Sequence, residues 1–152
     1  MWQNAQDAYL ESRVLSASPL ELVRLLYQAA IDAVRDARQH LAAGDIVARS
    51  RAINKACQIV FELAGSLDIE RGGEISTRLA ELYDYIGGRL IEANVKQADE
   101  PLAGVLGLLA TMAEGWEAVA ADAKSEEQAD NRWPENVMAE PSPSCASHAW
   151  SL

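Results

Sequence analysis

The chain is expected to fold as an all-α protein: an antiparallel four-helix bundle with a short extra N-terminal helix and a flexible C-terminal tail. Three observations predict this. Alanine and leucine dominate while aromatic residues make up only 6% of the 152-residue sequence, a composition that favours helices over strands. From Ile75 to Ala93 the apolar residues Ile75, Leu79, Leu82, Ile86, Leu90 and Ala93 recur at steps of three and four, the period of one helix face. Helix start and stop signals, Ser18-Pro19 with Glu21, Gly44-Asp45 and Gly72-Gly73, divide the chain into segments of bundle length.

Within Met1 to Ala17 the apolar members are Ala8, Tyr9, Val14 and Leu15, which predicts a short helix around Asp7 to Leu15. A segment this short is unstable alone and must dock on something. Residues 1–17 are therefore read as a cap on the bundle of residues 18–123.

Ser18 as N-cap, Pro19 at the first helical position and Glu21 closing a capping box start the first long helix. It extends to about Ala43, with its polar residues Glu21, Arg24, Gln28, Asp32, Arg35 and Gln39 in a narrow line. A helix apolar around most of its circumference touches neighbours on more than one side. Gly44 ends it and Asp45 caps the next, so the two are antiparallel neighbours.

The second helix runs from Ile46 to about Leu67, with Ile53, Ala56, Cys57, Val60, Leu63, Ala64 and Leu67 on one face. Ile59 and Phe61 lie off that stripe and mark a second apolar surface. Asp68 to Gly73 turns the chain into the central helix, whose polar side carries Glu74, Arg78, Glu81, Asp84, Arg89 and Glu92, with Tyr85 beside Asp84.

The fourth helix begins at Asp99 to Pro101 and extends to about Ala123, with Val105, Leu109, Met112 and Trp116 as its core stripe. No charge occurs between Pro101 and Ala113. A surface helix normally carries a charged outer face, so this one is expected to be covered or to await a partner, with Leu106 and Leu109 as candidate contacts. Residues 124–152 are acidic, small and proline-containing and are expected to be disordered, despite Trp133 and Trp150.

The charge balance excludes some function classes. Lys and Arg total 13 against 23 Asp and Glu, a net charge of −10, which repels nucleic-acid backbones and anionic lipid. No run reads as long and apolar enough to span a bilayer, and the N-terminus lacks a signal peptide's basic region and apolar core. The expected location is the cytoplasm. The cysteines, Cys57 and Cys145, form neither a disulfide framework nor a metal-ligand pattern. With His40 and His148 as the only histidines, no His-Glu-x-x-His, and Gly72-Gly73 and Gly87-Gly88 without a preceding strand, neither catalysis nor a cofactor or metal is expected.

The stretch from Gly72 to Asn94, with its words GGEI, LYDYI, RL and AN, resembles the flagellin-specific export chaperone family (FliS). SASPLELVRLLY at 16–27, the helix-two word INKA at 53–56 and the junction from Ser66 to Ile75 match at compatible positions. The resemblance covers about Ala8 to Trp116. It implies a cytoplasmic chaperone that wraps the disordered C-terminal segment of flagellin around its bundle, prevents premature polymerisation and delivers flagellin to the flagellar type III export gate. It also implies that the segment with Ala8, Tyr9 and Val14 covers the empty groove, although Gln6 stands where relatives often carry isoleucine. Ile53, Lys55 and Ala56, and Leu82, Tyr83, Tyr85, Leu90 and Asn94, match the family's words.

The candidate client contacts are thus Tyr9, Val14, Ile53, Ile59, Leu82, Tyr83, Tyr85, Leu90, Asn94, Leu106 and Leu109. Two other readings fit the residues: a regulatory adaptor whose main client is an anti-sigma factor or an export-gate component, and a structural homo-oligomer built on the uncharged face of helix four.

Overall fold

The helix boundaries follow the capping chemistry. A computed structural model describes residues 5, 7, 8 and 18–131, and the first long helix, α1, spans Pro19–Ala43. The Ser18 side chain accepts from the Glu21 amide at 3.2 Å. At the other end Gly44 takes a left-handed φ of 72°. The amides of Gly44 and Asp45 then donate to the carbonyls of Leu41 and His40 at 3.2 and 3.0 Å, which satisfies the last orphan acceptors of the helix.

Helix α2 spans Ile46–Gly65 and α3 spans Ile69–Lys96, with Asp45 and Asp68 as their N-caps. Each aspartate accepts from the amide three residues on, Ala48 and Arg71, at 3.1 Å. Helix α3 is broken at Gly73, where φ 55° and ψ −129° lie in a region that only glycine occupies readily. The break expected at the paired glycines is present, but a helical turn capped by Asp68 precedes it. Helix α4 spans Glu100–Asn131.

The chain divides into two compact units with the boundary after Ala118. In the first unit, Tyr27, Ala30, Val34 and Ala37 of α1, Ile53, Ala56, Val60 and Leu63 of α2, Tyr83, Ile86, Leu90 and Ala93 of α3, and Leu102, Val105 and Leu109 of α4 close one core. Helices α1 and α4 are also joined by two ion pairs. Arg38 grips Asp99, just before α4, through two bonds of 2.8 and 3.0 Å, and Arg24 lies 3.3 Å from Glu117.

In the second unit the helix continues from Val119 to Asn131, past the end expected near Ala123. The reason is local. Residues 119–131 include four Ala and two Glu and meet no proline before Pro134, so propensity carries the helix on without an apolar stripe. The expected N-terminal helix, and Trp133 and Trp150, lie outside the described residues.

Two further expectations are corrected. Ile75 is 72% exposed, and Ser76 is buried in its place, because the buried stripe of α3 runs through Ser76, Tyr83, Ile86, Leu90 and Ala93 and leaves Ile75 one residue outside it. Among the described residues, one helix, Glu100–Asp130, is long and apolar enough to cross a membrane by length and composition, where no such stretch was expected. Its uncharged run from Pro101 to Ala113 raises its apolarity. Leu102, Val105 and Leu109 of that run are buried in the bundle.

Candidate functional site

The core closes without using all the large apolar side chains. Ile46, Val47 and Phe61 of α2 and Ile69, Ile75, Tyr85, Ile91 and Val95 of α3 are exposed, Phe61 at 78% and Val95 at 77%. The surplus was expected on helices two and four. It lies on α2 and α3, while the outer face of α4 exposes the small residues Gly104, Gly107, Ala110 and Thr111. Scattered apolar residues are ordinary on a surface, and none of these large ones takes part in the core.

Along α2 an open depression is lined by Lys55, Cys57, Gln58, Ile59, Phe61 and Glu62. It brings together Ile59 and Phe61, the two residues that periodicity set apart from the main stripe. Burial pushes the half-buried Cys57 thiol above its ordinary value, so it behaves as an apolar side chain at neutral pH.

The sequence-predicted contacts separate by burial. Ile53, Tyr83, Leu90 and Leu109 are 3% exposed or less and face neighbouring helices rather than solvent. They shared a period with the surface candidates, and period alone does not tell which neighbour an apolar face meets. Ile59, Leu82, Asn94 and Leu106 are half-buried and Tyr85 is exposed. Tyr9 and Val14 lie outside the described residues.

The buried tyrosine has its own partner. The hydroxyls of Tyr27 and Tyr83 are 2.6 Å apart, and the Trp116 ring packs on Tyr27 at a centroid distance of 6.4 Å. Burial raises the pKa of both phenols, so they stay neutral.

Sequence reasoning missed a polar network joining the N-terminal turns of α2 to the C-terminal turn of α3. Arg49 is 4% exposed. Its Nε donates to Asn94 Oδ1 at 3.2 Å, and Nη1 donates to Gln97 Oε1 at 3.5 Å. Ser50 Oγ donates to the same Asn94 oxygen at 3.2 Å. Gln97 ends α3 with a left-handed φ of 52°, unusual for a residue with a Cβ. The network ties that turn to α2. The signal for it was an arginine at a position i−4 from Ile53 on the apolar side of α2, where a charge is out of place.

No group of three or more His, Cys, Asp or Glu able to hold a metal occurs among the described residues. The site offers apolar surface, a few fixed polar donors and no reactive constellation.

Comparison with known proteins agrees with this picture. Residues 1–123 match the family model described as flagellar protein FliS. The chain is 42% identical over 119 residues to the flagellar secretion chaperone FliS of Salmonella typhimurium, covering 78% of this chain and 88% of that protein. Over 114 residues it is 34% identical to the flagellar secretion chaperone FliSB of Pseudomonas aeruginosa, covering 75% and 90% of the two chains. A third relative, FliS of Bacillus subtilis, is 32% identical over 114 residues, covering 75% and 84%.

Proposed function

The chain belongs to the FliS family of flagellar secretion chaperones, and from that premise we propose that it binds the C-terminal segment of flagellin, keeps it from polymerising and hands it to the flagellar export apparatus in the cytoplasm. The observation that carries the reading is the surplus of large apolar side chains on α2 and α3, headed by Phe61 and Val95, beside a core that is already closed. Such a surface suits an amphipathic segment that is disordered until it finds an apolar partner.

The mechanism is mass action. A client segment laid over α2 and α3 buries its apolar stripe there, and the concentration of flagellin able to add to a filament falls. At about 25 cal/mol per Å² of apolar surface, a few helical turns offset the cost of ordering the segment and leave micromolar or tighter binding. No covalent step is involved, and the family is one of chaperones, not enzymes.

The test is flagellin assembly. Monomeric flagellin seeded with filament fragments is expected to stop elongating once this protein reaches a one-to-one ratio. Unchanged elongation at a tenfold excess contradicts the proposal and moves the main client to another protein of flagellar assembly, such as an anti-sigma factor or an export-gate component.

A further inference from the structure

The network at Asn94 has an orientation that its packing role does not use. Asn94 Oδ1 accepts from both Arg49 Nε and Ser50 Oγ. A guanidinium only donates, so the amide oxygen must face Arg49 and the amide nitrogen is turned away. Among the described residues Asn94 Nδ2 has no hydrogen-bond partner, and the one buried side-chain nitrogen or oxygen lacking a partner is Arg24 Nε. Asn94 is half-buried, and its amide nitrogen is turned away from Arg49 and Ser50 with access to solvent.

Exposed apolar side chains border it. Ile91 lies one turn before Asn94 and Val95 follows it, while Val47 lies one turn before Ser50 on α2, and all three are exposed. The electrostatics point one way. The Arg49 guanidinium is a cation, and its partners in the network, Asn94 and Gln97, are neutral amides. The nearby carboxylate of Glu92 is already paired with Arg89 and Lys96 at 2.7 and 2.9 Å. Donation from the guanidinium also polarises the Asn94 amide and strengthens its outward N–H donors.

We infer that Asn94 is a polar anchor whose Nδ2–H₂ donates to the free main-chain carbonyls at the C-terminal end of a client helix lying over α2 and α3. Such a helix end presents unpaired carbonyl oxygens carrying about half a negative charge, the group that complements outward donors backed by a cation. The anchor sets where along the apolar surface the helix stops, which apolar contacts alone leave free to slide. This assignment rests on the chaperone reading above.

The decisive variant is Asn94→Asp. Aspartate accepts from Arg49 and Ser50 as asparagine does, but it has no N–H and presents an oxygen where the donor stood. Its urea unfolding midpoint is expected to stay at or above that of the wild type, while affinity for monomeric flagellin in calorimetry falls at least tenfold. Ser50→Ala, which removes one bond to Oδ1 and leaves Nδ2 in place, is expected to bind within threefold of the wild type. In the ¹⁵N-labelled wild type, the Asn94 side-chain amide signal is expected to move on addition of flagellin. Equal affinity of Asn94→Asp and wild type, or an unmoved amide signal in a complex that forms, overturns the anchor and leaves the chaperone reading standing. Failure of the wild type itself to bind flagellin overturns both.

Discussion

The hydroxyl of Tyr27 on α1 lies 2.6 Å from that of Tyr83 on α3, with both rings buried. Each phenol satisfies the other, with Trp116 beside Tyr27, so the pair fixes the relation of two helices that are not consecutive in sequence. Removing one partner is expected to cost more than removing both. Tyr83→Phe should lower stability by about 1–3 kcal/mol, because the buried Tyr27 hydroxyl loses its 2.6 Å bond to Tyr83. The double variant Tyr27→Phe/Tyr83→Phe should recover most of that loss in urea denaturation.

The same pair sets the alkaline limit. Burial first, then the mutual hydrogen bond, raises Tyr83 above its ordinary value of 10.0, and burial raises Tyr27. A raised folded-state value means the stabilisation is complete below pH 10 and is lost as pH rises, since the unfolded chain releases these protons first. The urea midpoint should hold between pH 7 and 9 and fall above pH 10. In the double phenylalanine variant that fall should be smaller.

On the acid side the sign reverses. Arg38 holds Asp99 below its ordinary carboxylate value, and Lys96 and Arg89 do the same for Glu92. Stability from these groups is present above about pH 4 and is lost as pH falls through their lowered values. The Arg38–Asp99 pair is solvent-exposed and the Arg89–Glu92 pair half-buried at the surface, so the effect should be small and should shrink in 1 M salt. Asp99→Asn should flatten the acid limb of the stability profile at low salt only.

Glycine substitutions separate strain from open space. Gly73→Ala places a Cβ at φ 55°, ψ −129° and should cost about 1–3 kcal/mol. Gly104 and Gly107 sit in regular helix with nothing within 4 Å of an added Cβ. Replacing each by alanine should raise stability by about 0.5–1 kcal/mol, read as an increase in the thermal midpoint.

Phe61 separates folding from binding. Because its side chain is 78% exposed, Phe61→Ser should leave the unfolding midpoint within about 0.5 kcal/mol of wild type. Its affinity for flagellin should fall about tenfold or more, as expected for an aromatic anchor. Urea denaturation checks the first arm, and calorimetry with monomeric flagellin checks the second.

The parts of this structure that were legible in the sequence are those set by neighbours in the chain. Ser18-Pro19 and Gly44-Asp45 are local signals, and the helix ends fall where they stand. The stripe through Val105 and Leu109 was readable for the same reason. What lay beyond reach depends on residues far apart. Arg49 and Asn94 meet across 45 positions, and no local pattern announces that an arginine will be buried against an amide. Ile75 reads as core by spacing, yet the buried stripe of α3 passes through Ser76 beside it. Tyr83 and Tyr85 look alike in the word LYDYI, but one is 3% and the other 58% exposed, a difference decided by the helix packed alongside.

The most direct test of the chaperone reading is calorimetry of the full chain with the C-terminal segment of flagellin at several temperatures. The account predicts one-to-one binding with a large negative heat-capacity change, the mark of apolar burial on α2 and α3 coupled to folding of the segment. Absence of binding at both low and moderate salt, or binding whose heat does not change with temperature, would contradict it.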